Sequence, residues 1–148
     1  MKIIKAEKED LKEILNLQYL AYQSEAALFG TKDIPPLKET LEEVIEEYDN
    51  GTILKMVDNY KIIGSVRAHK DGETACVGKL MVHPDYRCHG YGSMLLNEIE
   101  KYFPDCRYEL FTSTRSVDNI RLYKKMGYVI FDERPVDDEL VFVYLEKR

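Results

Sequence analysis

Apolar positions along the chain switch between two spacings, and each spacing implies an element. Residues 2–6 place Ile3 and Ile4 in a β-favouring run, which predicts a first strand. From Glu7 or Glu9 the pattern changes. Leu11, Ile14, Leu15, Gln18 and Tyr22 fall along one face of a helix whose first turn is acidic. Gly30 breaks that helix, and Pro35 and Pro36 make residues 31–36 a loop. Leu37, Leu41, Val44, Ile45 and Tyr48 predict a second helix over residues 37–48, ended by Asp49-Asn50-Gly51. Strands follow at residues 52–57, 61–69 and 73–82, joined by hairpin-like turns at Asp58-Asn59-Tyr60 and Lys70-Asp71-Gly72. Helical spacing returns over residues 93–102, with Leu95, Ile99 and Tyr102 on one stripe. Residues 107–113 then read as a strand, and residues 116–126 as a helix closed by Gly127. Two final strands lie at residues 128–133 and 139–146. The predicted order, β-α-α-β-β-β-α-β-α-β-β, describes an α/β (α+β) layer fold. It has a mixed central sheet of about seven strands flanked by four helices.

Composition narrows the setting more than the chemistry. A chain of 148 residues and 17.3 kDa suits one domain spanning residues 1–148, and no repeat or linker divides it. No apolar run approaches the ~20 residues that a membrane span needs. The start, Met1-Lys2-Ile3-Ile4-Lys5, lacks the apolar block of a signal peptide. Three cysteines without a repeated spacing argue for free thiols in a reducing, cytoplasmic setting. A net charge of −6 speaks against a nucleic-acid binder and is compatible with a cationic acceptor, although acidity also serves solubility alone.

The chemistry concentrates in Val82-His83-Pro84-Asp85-Tyr86-Arg87-Cys88-His89-Gly90-Tyr91-Gly92-Ser93. Pro84 ends the preceding strand because it lacks a ladder donor and fixes its own φ. Two glycines then stand where strand turns into helix, where the backbone can approach a ligand closely. The first amides of a helix have no intrahelical acceptor and carry the positive end of its dipole, which suits a phosphate. Arg87 adds a guanidinium fork at the rim. The dinucleotide fingerprint does not fit, since Leu95 stands where its third glycine belongs, and no Gly-Lys-Ser/Thr follows to make a Walker loop. His83 and His89, with Cys88 between them, do not match a common zinc spacing, so no metal is expected.

The run Val-x-Pro-x-x-Arg-x-x-Gly-x-Gly resembles the coenzyme A-binding signature of the GNAT superfamily of N-acetyltransferases. A second segment, Leu122-Tyr123-Lys124-Lys125-Met126-Gly127-Tyr128, is similar to that family's Leu-Tyr-x-x-x-Gly-Phe/Tyr. The resemblance covers nearly the whole chain and implies the GNAT fold, with acetyl-CoA as acyl-donor cosubstrate. It implies a pyrophosphate held by Arg87 and the backbone of Cys88, His89, Gly90, Tyr91, Gly92 and Ser93. It also implies an amide near Leu80, Met81 and Val82 facing the thioester carbonyl. The resemblance implies for Tyr123 the role of general acid to the departing thiolate. The family's asparagine, seven residues before that tyrosine, is here Ser116, while Asn119 lies four before it; both are candidates to touch the pantetheine arm. Glu73 and Glu109 are rival candidates for the base that neutralises the amine, with a water relay as a third route. Tyr22, Phe29 and Ile34 fall in the region that often lines the acceptor pocket. The partner implied is an amine of a small molecule or peptide, and homodimers are frequent in the family. The alternative reading is a non-catalytic acyl-CoA-binding or regulatory module of the same fold.

Overall fold

The apolar runs form seven strands in a computed structural model that describes Met1–Arg148. They are β1 (Lys2–Lys5), β2 (Thr52–Asp58), β3 (Lys61–Asp71), β4 (Thr74–Val82), β5 (Arg107–Ser113), β6 (Val129–Pro135) and β7 (Val141–Lys147). The sheet order is β1-β2-β3-β4-β5-β7-β6, antiparallel throughout except for the β4–β5 pair. This is the mixed sheet that the alternation predicts.

Six helical segments flank it where four were expected, because each of the first two is interrupted. α1 (Leu11–Ala21) and α2 (Gln23–Phe29) part at Tyr22, whose ψ of 2° leaves the helical range. Gly30, at φ 70°, then closes α2 in the left-handed conformation that glycine adopts at little cost. α3 (Pro35–Lys38) is one turn opened by proline. α4 (Leu41–Asn50) begins afresh at Thr40, whose hydroxyl accepts from the Glu43 amide while the Glu43 carboxylate accepts from the Thr40 amide. That capping box, Thr-x-x-Glu, was present in the sequence inside the segment read as one helix. α5 (Tyr91–Lys101) and α6 (Val117–Lys125) complete the set.

Two apolar layers hold the sheet. Leu11, Ile14, Leu17 and Val44 of α1 and α4 pack with Ile53, Ile62 and Met81 on one face. Leu95, Leu96 and Ile99 of α5 pack with Leu54, Met56, Ile63, Leu110 and Leu145 on the other, where Tyr123 of α6 joins them. On the α1 side the helices cover β2, β3 and β4. There β5, β7 and β6 turn a row of aromatic side chains to solvent, with Phe111 52% exposed. No helix is long and apolar enough to cross a membrane.

Two irregularities in β4 position the site. Its pairing with β5 is confined to Thr74, Ala75 and Cys76 opposite Arg107, Tyr108 and Glu109, after which the strands diverge. Against β3 it carries a bulge: Ser65 pairs with Met81 but Arg67 with Gly78, and Lys79 stands at φ 51°.

Candidate active site

At the end of β4 the chain passes through a single turn, residues 84–86, whose Asp85 amide donates to His83 Nδ1 at 3.1 Å. Cys88 at φ 67° and Gly90 at φ 78° then turn the backbone into α5. The first helical bond runs from the Met94 amide to the Gly90 carbonyl at 3.2 Å, so the amides of Tyr91, Gly92 and Ser93 have no acceptor within the protein. With the helix dipole behind them, these donors suit a diphosphate.

The two glycines answer to different constraints. A Cβ on Gly90 would meet nothing within 4 Å, so its backbone stands open and glycine is required by its φ. A Cβ on Gly92 would lie 3.1 Å from Leu122 Cδ2 and 3.9 Å from Leu80 Cδ2, so this glycine lets α5 close onto α6 and β4. Arg87 is exposed, and its Nη2 donates to the Ala21 carbonyl at 2.8 Å, tying the cradle to the end of α1. Cys88 and His89 are also exposed, with the His89 ring 5.5 Å from that of Tyr91. Leu80 and Val82 are half-buried against the α5 layer, and Met81 is buried in the α1 layer. The edge these residues turn away from β3 faces the gap between β4 and β5.

α6 presents Tyr123, 7% exposed, to the apolar layer it shares with α5. Burial and then the charge of Glu25 push its phenol well above the ordinary value, so it remains a proton donor. Glu25, on α2, was not singled out by the sequence reading. Its Oε2 accepts from Ser116 Oγ at 2.8 Å and its Oε1 from Asn119 Nδ2 at 3.0 Å, clamping α2 to the first turn of α6. Tyr22 joins the group: burial first, then Tyr123 and Glu25, raise its phenol too. The fold thus gathers Tyr22, Glu25, Ser116, Asn119 and Tyr123. Phe29 is half-buried at the end of α2, and Ile34 is buried at 6% exposure.

The two carboxylates expected near the base position lie where β4 and β5 are still paired. Glu73 is exposed, its carbonyl accepting from the Arg107 amide at 3.0 Å. Glu109 accepts from Arg107 Nη1 at 2.8 Å, and the same guanidinium binds Glu146 through Nε at 2.8 Å.

A second polar cluster, also missed, lies beside the bulge on the α1 side. Arg67 is 4% exposed, and its Nη1 donates to Glu39 at 3.0 Å and Glu47 at 2.9 Å while its Nη2 donates to Gln18 at 2.6 Å. Lys79 Nζ stands 3.9 Å from Glu39. Burial opposes ionisation of Glu39, but hydrogen bonds from the Glu47 and Gln18 side chains and the charges of Lys79 and Arg67 bring it down to about 2. Burial and Glu39 together push Glu47 up. The available signal was a polar residue within an apolar pattern: Gln18 on the α1 stripe and Arg67 in the β3 run.

Comparison with known proteins agrees with this geometry. The profile of the Acetyltransferase (GNAT) family matches residues 9–128. Among solved structures, the chain is similar to the PaiA N-acetyltransferase of Thermoplasma acidophilum in complex with coenzyme A. That likeness has a TM-score of 0.82 and 18% identity, covering 99% of this chain and 98% of that one. It is similar to the ribosomal-protein-S18-alanine N-acetyltransferase of Escherichia coli, at TM-score 0.79 and 17% identity over 99% and 92% of the two chains. An aminoglycoside 6'-N-acetyltransferase complexed with coenzyme A gives TM-score 0.78 and 18% identity over 99% and 96%. At these identities the likeness is one of fold. The UPF0157 protein YqkA of Bacillus subtilis is 27% identical over 118 residues, and the match spans 79% of this chain but only about a third (34%) of that protein's length. With the family profile covering most of its length, the chain belongs to the GNAT acetyltransferase family.

Proposed function

We propose that this protein is an acetyl-CoA-dependent N-acetyltransferase that moves the acetyl group directly onto an amine of a small molecule or peptide. The observation that carries this reading is one juxtaposition. Unpaired amides open α5 behind a left-handed Gly90, beside them β4 and β5 diverge, and Tyr123 of α6 is buried against the α5 layer within reach of the Glu25 charge. The amides of Tyr91, Gly92 and Ser93, with Arg87, bind the diphosphate. The unpaired edge of Leu80, Met81 and Val82 donates to the thioester carbonyl, where negative charge develops during attack. Tyr123 protonates the leaving thiolate. Bare thiols have pKa ~8.5 and phenols ~10, so a phenol kept neutral by burial stabilises that thiolate chiefly by hydrogen bonding, and any proton it passes to the sulfur is replaced by the one the acceptor amine loses. Ser116 and Asn119 border the pantetheine arm. Glu25 is a positioning residue: it holds both of them and links α2, on the acceptor side, to α6.

The acceptor must lose a proton first. For a primary amine of pKa ~10.4, deprotonation at pH 7 costs about 4.6 kcal/mol. Glu73 lies at the closed end of the β4–β5 pairing, away from Leu80–Val82, and Glu109, at the last paired rung, is engaged by Arg107. A water relay is therefore our assignment for the base. Tyr22 and Phe29 flank the acceptor. The solved relatives named above include enzymes for a ribosomal-protein alanine and an aminoglycoside, which supports an amine acceptor without choosing its size. The three cysteines stand free, which supports a reducing, cytoplasmic setting.

The test is a coenzyme-release screen with acetyl-CoA over polyamines, amino acids, aminoglycosides and peptide N-termini, run beside calorimetry with coenzyme A. We expect binding, and turnover with at least one amine. Binding without turnover across the panel would instead favour a non-catalytic acyl-CoA module, and no binding would remove the reading altogether.

A further inference from the structure

We infer that Glu47, held with Glu39 beside a bare stretch of β4, takes the proton that the acceptor amine loses. This inference rests on the acetyl-transfer reading and names the end of its water relay. Arg67 of β3 pairs with Gly78 of β4, and its guanidinium lies on the α1 side, where Nη1 meets Glu39 at 3.0 Å and Glu47 at 2.9 Å. A Cβ on Gly78 would meet nothing within 4 Å, so the strand beside this cluster is uncovered. A glycine inside a strand is where a ligand can come close to the backbone. The β4–β5 pairing has already ended at Cys76, and Lys79, whose Nζ stands 3.9 Å from Glu39, leads directly into Leu80–Val82. The two carboxylates therefore adjoin the edge assigned to the thioester carbonyl, whereas Glu73 and Glu109 lie at the closed end. Arg67 Nε is buried without an acceptor in the protein, which leaves the cluster one donor for a molecule from outside.

The two acids differ. The Glu39 side chain is 9% exposed and accepts from both Gln18 and Arg67, whereas that of Glu47 is 38% exposed. Glu39 stays ionised, and burial together with Glu39 makes Glu47 the more basic of the pair. Carboxylates parted by their surroundings in this way suit separate roles. The charges around Glu47 are Glu39, Arg67 and Lys79. The α1 side adds Tyr19, whose hydroxyl donates to the Glu39 carbonyl, and Tyr22. His69 follows Arg67 two residues along β3, and Lys55 of β2 is engaged by Asp10 at 2.7 Å. Tyr22 lies within reach of Arg67 and Glu39 as well as Tyr123 and Glu25, so it joins this cluster to the leaving-group side. In the step, the ammonium gives a proton to a water, which passes one to Glu47. The freed lone pair forms the C–N bond at the thioester carbon, and the C–S bond then breaks. A second nitrogen proton balances the one that leaves on the sulfur. Glu47 returns its proton to solvent through its exposed side.

The test is the pH profile of kcat/KM for Glu47→Gln, which keeps the Arg67 hydrogen bond through its carbonyl oxygen. Spermidine, lysine, kanamycin and an alanyl peptide serve as probes of four acceptor classes. The profile is taken on the one that the wild type acetylates fastest. We expect a loss of roughly 10²-fold at neutral pH, narrowing as pH rises toward the amine's own pKa, with acetyl-CoA affinity by calorimetry unchanged. Glu47→Asp should recover part of the loss. Gly78→Val covers the case in which Glu47→Gln folds poorly: it fills the bare stretch, and the acceptor KM should rise ~10-fold. A wild-type profile in Glu47→Gln, a loss equal at every pH, or an unchanged KM in Gly78→Val would overturn the inference. A wild type that binds coenzyme A but acetylates none of the four classes would remove the acetyl-transfer reading, and this inference with it.

Discussion

Tyr123 is buried beside a carboxylate, with no cation offsetting the loss of its proton. Its pKa is raised, so the acid form persists through neutral pH, and an activity loss at moderately alkaline pH would belong to another group. Tyr123→Phe is expected to lower kcat by roughly 10²–10⁴-fold, the usual contribution of a positioned acid, with coenzyme A affinity nearly unchanged by calorimetry. Glu25 allows a sharper separation. Glu25→Ala removes the acceptor of both Ser116 and Asn119, and kcat should fall ~10-fold or more, as expected when a supporting contact to the reacting groups is lost. Glu25→Gln can keep both contacts if the Asn119 amide flips, so its kcat should stay near wild type. Equal damage in the two variants would mean that the charge of Glu25 itself takes part in the reaction. At this scale the sequence singles out Tyr123 and Arg87 only through the likeness of their segments to the GNAT motifs, and their roles are those proposed above. It concealed Glu25, because a carboxylate on a short helix looks like any solvated acid until its partners, 91 and 94 positions away, are folded beside it.

At the level of elements, apolar period located all seven strands to within a few residues, and Gly30, Gly90 and Gly127 do occupy left-handed positions. Helix continuity was harder to read. Tyr22 keeps the apolar stripe of α1 in register and yet breaks it, since the break serves to direct α2 toward α6. The bulge at Lys79 had one local signal, Gly78 inside the strand run, but the lysine at φ 51° is held there by the pairing of β4 with β3, not by its own preference. The cradle carries a direct test. Gly90→Ala introduces no clash, yet the left-handed backbone costs an alanine about 1–2 kcal/mol. If the loop relaxes to relieve it, the amides move. The expected result is coenzyme A affinity reduced ~10-fold, of the size that strain converts to, with a modest fall in thermal stability.

Over the whole molecule, the ionic cluster around Arg67 joins α1, α4 and β3 to the turn before α4. Glu39 titrates at about 2 in the folded protein against an ordinary 4.5, so its folded pKa is depressed. Its contribution to stability is complete above the unfolded value and is lost as pH falls toward the folded one. Thermal unfolding followed from neutral pH down to strong acid should therefore show a decline across that window. Glu39→Gln should flatten it, and an unchanged slope would assign the acid sensitivity elsewhere.

The brief contact between β4 and β5 has one more effect. Three rungs join what are otherwise two separate leaves, one of four strands and one of three, like a book stitched at a single corner. The free leaf margins, residues 77–82 and 110–113, should trade their amide hydrogens with solvent faster than the paired rungs. A coenzyme lying between them would complete the stitching and slow that exchange on both pages at once.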